Sequence, residues 1–321
     1  MLDKLGRSID YLRVSLTNKC NMRCLYCRPA KEGDALSAVQ PIQSDDLLYL
    51  LSIFIETGIK KIRLTGGEPL LFPEIINFIK CLGTFPDLKE IAMTTNGVLL
   101  RKNSAALINS GLSSINVSID ALTPAVFSVM TRGADINEVI EGIKSVRNHI
   151  SVKINSVIMK NINEQEIIPL ADFSREYDIP VRFIELMPFS QTKDYEGMSE
   201  ESIKGIISDR YGRLYAEKSG KSAAHYYNFS DKRGKIGFIS AMSHKFCGSC
   251  NRVRLMADGC LRPCLYSDKE YDLKQMLKQN CSSKEITAAI KKIIYGKPEQ
   301  HAMQKKIFFN IKHGFMSEIG G

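Results

Sequence analysis

Between residues 9 and 190 the chain alternates apolar, β-branched runs with stretches of helical period. The runs fall at 12–16, 61–64, 90–93, 114–119, 152–158 and 181–186; the helical stretches fall near 44–57, 73–82, 102–110, 136–149 and 164–177. Period-2 and period-3.6 segments in strict alternation read as βα units, and βα units build a parallel sheet. Ser44 followed by Asp45 and Asp46 suits an N-cap with acidic residues against the helix dipole, and Pro73 suits a first helical turn. Six such strands leave two architectures open: an open doubly wound sheet, or a barrel short of the usual eight strands. In both, ligands collect at the carboxyl ends of the strands. The unusual segments lie there: a cysteine cluster after the first run, Thr65-Gly66-Gly67-Glu68-Pro69 after the second, Thr94-Thr95-Asn96-Gly97 after the third, Ser118 and Asp120 ending the fourth, Glu185 and Met187 the sixth.

Beyond about residue 215 the pattern changes. A helical stretch at 199–211 leads into a Ser/Lys/Gly segment at 218–224 that reads as a linker. Short strands are expected at 226–229 and 235–240, and another pair at 252–256 and 260–265 flanks the turn Ala257-Asp258-Gly259. A last helix is expected over 283–295, with Ser282 and Glu285 as a capping box. The 321 residues therefore divide into 1–215 and 216–321.

Lys and Arg number 44 against 35 Asp and Glu, a net charge of +9 that favours an anionic partner. No run approaches the length of a membrane span, and the opening MLDKLGRSID lacks the apolar stretch of a signal peptide, so a cytoplasmic protein is expected. Nine cysteines, an odd number, argue against a disulfide framework there. They cluster: Cys20, Cys24 and Cys27 in one segment; Cys247, Cys250, Cys260 and Cys264 in another. Three thiols on one short loop suit an iron–sulfur cluster with one iron left open. A structural zinc site normally wants four closed ligands, and none of the histidines lies near this loop in sequence.

Cys20-Asn21-Met22-Arg23-Cys24-Leu25-Tyr26-Cys27 resembles the C-x₃-C-x₂-C motif of the radical S-adenosylmethionine (SAM) superfamily, and GGEP at 66–69 resembles its SAM-binding motif. The second segment narrows the resemblance. Cys247-Gly248-Ser249-Cys250-Asn251-Arg252-Val253-Arg254, followed by Cys264, resembles the GTP 3′,8-cyclase family of molybdenum-cofactor biosynthesis. GIKKIRLTGGEPLL, TTNG, INVSIDAL, RFIELMP, GFISAMSHKFC and the terminal Gly320-Gly321 agree, so the resemblance spans nearly the whole chain.

The resemblance implies an α/β fold, an incomplete (β/α)6 TIM-type barrel with a C-terminal auxiliary-cluster region closing its open side. It implies two [4Fe–4S] clusters, on Cys20, Cys24 and Cys27 and on Cys247, Cys250 and Cys264. SAM would be contacted by Tyr26, Gly67, Ser118 and Met187; GTP by Arg13, Arg63, Thr94, Lys153, Arg252 and Arg254. Arg13, Arg252, Arg254, Gly320 and Gly321 would support the radical chemistry, in which a 5′-deoxyadenosyl radical takes the ribose 3′ hydrogen and the resulting carbon radical attacks C8 of guanine. A flavodoxin- or ferredoxin-type reductant and a downstream cyclic pyranopterin monophosphate synthase are the implied partners; nucleic acid and membrane are not, and the chain would be a monomer or homodimer. Independently of family, Arg13, Arg63 and Lys153 fall within expected strands, where a buried charge without a partner is costly, and that points to a bound anion. Cys260 leaves a Cys₄ site open. Its offset of four from Cys264 puts both on one strand face by alternation, whereas the family spacing makes it a bystander. Arg28 departs from the family, where Met is common. Two rival readings are a peptide-modifying radical SAM enzyme, which does not account for NRVR, and a basic zinc-ribbon nucleic-acid binder, which leaves the strand-end motifs unexplained.

Overall fold

The computed structural model describes residues 1–29, 40–217, 223–267 and 269–301. Its strands form one sheet. β1 (Tyr11–Ser15), β2 (Lys61–Thr65), β3 (Glu90–Thr95), β4 (Ser114–Ser118), β5 (Ser151–Val157) and β6 (Val181–Ile184) lie side by side in chain order, all parallel. Helices α1 (Ser44–Glu56), α2 (Ile75–Gly83), α3 (Leu100–Ile108), α4 (Pro124–Thr131), α5 (Ile136–Val146) and α6 (Ile167–Tyr177) fill the crossovers. This is the α/β alternation expected from the sequence, with one extra helix. α4 is too short for a periodic signal; its Pro at the first helical position was the available mark.

One face of the sheet is apolar and carries the helices. Leu12 and Val14 of β1, Ile62 and Leu64 of β2, Val152 and Ile154 of β5 are buried, together with Leu50, Phe54, Ile79 and Val139 from the helices. The alternate residues of the same strands point to the other face, which therefore holds Arg13, Arg63 and Lys153. α1 is capped at Gln43 without a side-chain bond, so Ser44 is its first residue and not its cap as expected; Asp45 and Asp46 do occupy the first turn.

After α7 (Glu200–Tyr211) come β7 (Tyr215–Ala216), β8 (His225–Asn228) and β9 (Lys235–Ile239); β9 runs parallel to β6 and extends that edge. β10 (Arg252–Leu255) crosses to the opposite edge and pairs in parallel with β1; β11 (Cys260–Arg262) and β12 (Tyr271–Asp272) follow antiparallel. The C-terminal strands thus flank the first six on both sides instead of forming a separate sheet. The turn at Ala257-Asp258-Gly259 joins β10 and β11, with Gly259 at φ +86°. α8 (Leu273–Lys278) and α9 (Ser283–Tyr295) close the described chain, and Ser282 and Glu285 form the expected capping box. Among the described residues no helix is long and apolar enough to cross a membrane.

Candidate active site

The face opposite the helices encloses a cavity of about 660 Å³. Its lining carries eight Lys and Arg side chains against one carboxylate, Glu90. Arg13, Arg63, Lys153, Arg252 and Arg254 are among them, as the sequence led us to expect; Lys61, Arg182 and Lys297 were missed. Strand register explains the concentration. Arg254, Arg13 and Arg63 sit directly opposite one another across β10, β1 and β2. Like charges in adjacent register positions repel, and burial removes the water that would screen them. Burial, then its arginine neighbour Arg254, holds the Arg13 guanidinium well below its ordinary pKa. Burial, against the pull of Cys264 and with the push of Arg252, brings Arg254 down to about 10. Lys153 and Arg182 are lowered for the same first reason.

Some of these cations are braced. Arg63 donates to the Tyr11 hydroxyl at 2.5 Å, to the Met93 carbonyl at 2.8 Å and to Thr94 Oγ1 at 3.5 Å. Thr94 is therefore a support for Arg63 and is not part of the cavity lining. Arg182 differs: its Nε and Nη2 are buried and have no hydrogen-bond partner among the described residues. Donors left in this state beside an enclosed space fit a bound polyanion. Lys61 was legible, because it lies two residues before Arg63 on the same strand face. Arg182 sits in β6 beside Phe183, which faces the core.

Cys247, Cys250 and Cys264 line the same cavity; Cys260 does not. β11 ends at Arg262, so alternation does not carry from Cys260 to Cys264. Cys260 packs beside Phe189 and Met256, and burial with Asp258, Asp272 and Glu270 nearby pushes its thiol up to about 12. Cys250 runs the other way. Burial raises it, but Lys297, a backbone N–H and the charges of Arg252 and Arg254 outweigh that and lower it.

The first cysteine loop follows β1. It is locked to the segment after β2 by the hydrogen bonds Gly67 N–H to Thr17 O (2.7 Å) and Glu68 N–H to Lys19 O (2.8 Å). The two backbones run so close that a Cβ on Gly67 would stand 2.2 Å from the Lys19 carbonyl oxygen, and one on Gly66, at φ +125°, 2.4 Å from that of Thr17. Only glycine fits either position; the Gly-Gly pair shapes the cysteine loop whatever else it touches. Glu68 is fully buried and accepts from Thr95 Oγ1 (2.7 Å), Asn96 N–H (2.8 Å) and Leu70 N–H (3.0 Å). Burial nevertheless pushes it up to about 7. Tyr26 donates to Asp120 Oδ2 at 3.0 Å, and burial takes Asp120 up to about 6. Ser118 is the last residue of β4 and Met187 lines the cavity just past β6. Arg28 is buried, and its guanidinium holds the Asn18 carbonyl. Gly320 and Gly321 lie outside the described residues.

Among the described residues no three Cys, His, Asp or Glu side chains converge on a point where one metal ion could sit. Three cysteine thiols grouped on one short loop supply the sulfur donors that an iron–sulfur cluster takes.

The sheet of parallel strands with a three-cysteine loop after the first of them is that of a radical SAM protein, as the family matches show. The Radical SAM superfamily model matches residues 14–174, and the Molybdenum Cofactor Synthesis C model matches 179–303. In structure the chain is similar to Streptococcus suis SuiB bound to S-adenosylmethionine, at TM-score 0.62 and 15% identity, over 88% of this chain and 68% of that one. In sequence it is 40% identical to the GTP 3′,8-cyclase of Petrotoga mobilis over the whole of both chains, and 42% identical to that of Thermodesulfovibrio yellowstonii over 93% of this chain and 95% of the other. The chain belongs to the GTP 3′,8-cyclase family.

Proposed function

We propose that the chain is a radical SAM lyase that converts GTP to (8S)-3′,8-cyclo-7,8-dihydroguanosine 5′-triphosphate in molybdenum-cofactor biosynthesis. The observation that carries this reading is the in-register row Arg254, Arg13 and Arg63 on the floor of a cavity that also holds Cys247, Cys250 and Cys264. A row of buried like charges is unfavourable alone and favourable around a triphosphate, to which arginine gives bidentate donors. Lys153, Lys61 and Arg182 would complete that cradle, and Thr94 would keep Arg63 aimed. A second cluster on the cysteines of the same cavity would lie where the base of the nucleotide ends.

Cys20, Cys24 and Cys27 would hold the first [4Fe–4S] cluster and Cys247, Cys250 and Cys264 the second; bound there, the first supplies the electron that cleaves SAM. The protein's own part is binding, orientation and shielding. Tyr26, Gly67, Ser118 and Met187 would position SAM at the strand ends. Arg13, Arg252 and Arg254 would fix the ribose and triphosphate, and Gly320 and Gly321 would complete the site. The architecture we assign is an incomplete (β/α)6 barrel over residues 1–215, with 216–321 as the auxiliary-cluster region. A cytoplasmic setting, a flavodoxin- or ferredoxin-type reductant and delivery of product to a cyclic pyranopterin monophosphate synthase follow from the same reading.

The test is anaerobic cluster reconstitution, then incubation with GTP, SAM and dithionite. Formation of 5′-deoxyadenosine and the cyclised nucleotide in step is expected. A preparation carrying about eight irons per chain that cleaves SAM but never alters GTP would overturn the assignment of substrate.

A further inference from the structure

Three side chains fasten the short segment from Lys297 to His301. The Lys297 ammonium, 2% exposed, donates to the carbonyl of Arg252 at 2.8 Å and to that of Pro263 at 2.6 Å. The buried Arg7 guanidinium donates to the carbonyls of Cys247 (2.8 Å), Pro298 (2.7 Å), Glu299 (2.9 Å) and Lys297 (3.4 Å), while Asp3 accepts its Nε at 2.5 Å. His301 Nε2 donates to the carbonyl of Ala241 at 2.9 Å.

Three of the carbonyls that these cations hold lie at or beside the cysteines of the second segment. One belongs to Cys247 itself. One belongs to Arg252, two residues past Cys250. One belongs to Pro263, immediately before Cys264. Each cysteine of the second site is therefore within two residues of a carbonyl gripped by Arg7 or Lys297. Those carbonyls come from separate stretches of chain, the turn before β10, the first residue of β10 and the turn after β11, which sequence alone does not hold together. A planar guanidinium with donors in a fixed fork bridges several carbonyls at once; a compact ammonium bridges two. Among the described residues the hydrogen-bond partners of the Lys297 ammonium are both neutral carbonyls. A buried ammonium in that setting is costly unless negative charge lies nearby, and thiolates at Cys250 and Cys264 would supply it.

We propose that Lys297 and Arg7 are positioning residues for the second cysteine site, holding Cys247, Cys250 and Cys264 in place and tying the N-terminal segment and the start of the C-terminal tail to it. The inference rests on the reading of those three cysteines as cluster ligands. It explains why the segment 297–301 is fastened so firmly. The tail leaves from a point fixed against the second cluster, so loss of one disturbs the other.

The test uses the reconstituted holoenzyme and two variants, Lys297→Met, which keeps length and apolar bulk, and Arg7→Gln. Three quantities are read: iron per chain, 5′-deoxyadenosine formed without GTP, and amide hydrogen exchange at 247–266. In both variants iron should fall from about eight to about four per chain, GTP-independent SAM cleavage should stay within about twofold, and exchange at 247–266 should rise while that of β2 to β5 is unchanged. Arg7→Lys should fail to restore iron, because one ammonium cannot span four carbonyls. Full iron with unchanged exchange in both variants overturns the proposal. So does loss of SAM cleavage together with iron in both, which would make the segment part of the general scaffold. A wild-type enzyme that itself holds only about four irons overturns the two-cluster reading beneath it, a distinct failure.

Discussion

The two groups of clustered cysteines lie in opposite electrostatic fields. The first is a continuous loop. Backbone bonds tie it to itself (Cys27 N–H to Cys24 O, 3.0 Å) and to the end of α4 (Leu25 N–H to Met130 O, 3.0 Å), and Arg132 clamps the carbonyls of Arg23 and Arg28 at 2.9 and 2.8 Å. Burial, then Cys27 and Asp120, raise the Cys24 thiol far above its ordinary pKa; burial, with Glu68 among the neighbours, raises Cys20. The second site is assembled from separate segments, and its cations bring Cys250 down despite burial. Carboxylates beside the first site suit a cationic sulfonium such as SAM; arginines and lysines beside the second suit a polyphosphate. On the reading proposed above, one sheet would keep two ligands of opposite charge apart, the carboxylates standing in the segments after β2 and β4 and the cations mostly on the strands.

The largest effect expected is at the first site. Cys24→Ala removes a thiolate that no neighbour can replace, and 5′-deoxyadenosine formation should drop to background, with or without GTP. Normal cleavage of SAM by a homogeneous Cys24→Ala preparation would detach this loop from the chemistry. The second site should respond differently. Arg252→Ala and Arg254→Ala each remove a charge-assisted bond in a water-poor cavity, a loss of about 2–3 kcal/mol, or roughly 30–150-fold in GTP affinity. SAM affinity should move by less than about threefold, well under 1.4 kcal/mol. Calorimetric titration of both ligands on cluster-replete protein checks this. Equal weakening of the two would erase the partition.

The carboxylate side is tested by pH. Glu68 rises from an ordinary 4.5 to about 7 on folding, through burial that three donors do not offset. A raised carboxyl pKa means that the native state holds its proton more tightly than the unfolded chain. Its contribution to stability is fully present below about pH 4.5 and is lost as pH climbs through 7. Glu68→Gln carries no such titration. Wild type should therefore lose stability relative to Glu68→Gln between those pH values, by on the order of 3 kcal/mol, read as the difference in urea midpoints of the metal-free proteins. Parallel pH profiles would show that Glu68 stays ionised on its three donors.

Much of this was legible in the sequence because period-2 alternation is a local signal. Arg13, Arg63 and Lys153 could be placed on the polar face from neighbours within two residues. What escaped depends on pairing between distant segments. Nothing local says that β10 lies against β1, which is what brings Arg254 opposite Arg13. Nothing local says that Lys297, just beyond the last helix, reaches the carbonyls of Arg252 and Pro263. Gly66 and Gly67 were legible only as part of a ligand-binding motif; that they lie against the backbone of Thr17 and Lys19 was not.

The smallest effect expected distinguishes a three-thiolate second site from a four-thiolate one. Cys260 lies on β11 opposite Asp272, with Asp258 Oδ1 accepting from its backbone N–H at 2.9 Å. Those carboxylates, after burial, push its thiol up to about 12, so the field at Cys260 opposes a thiolate, whereas the cations around Cys250 favour one. Cys260 also turns to Phe189 and Met256 instead of lining the cavity. Cys260→Ser should therefore leave iron content and GTP turnover near wild type, with a stability loss of about 1 kcal/mol for a hydroxyl beside apolar neighbours. Cys264→Ser should cost about half the iron. If the two serine variants lose iron equally, the second site is a closed Cys₄ centre with no iron open to the nucleotide, and the contrast between the two sites would then rest on coordination as well as on charge.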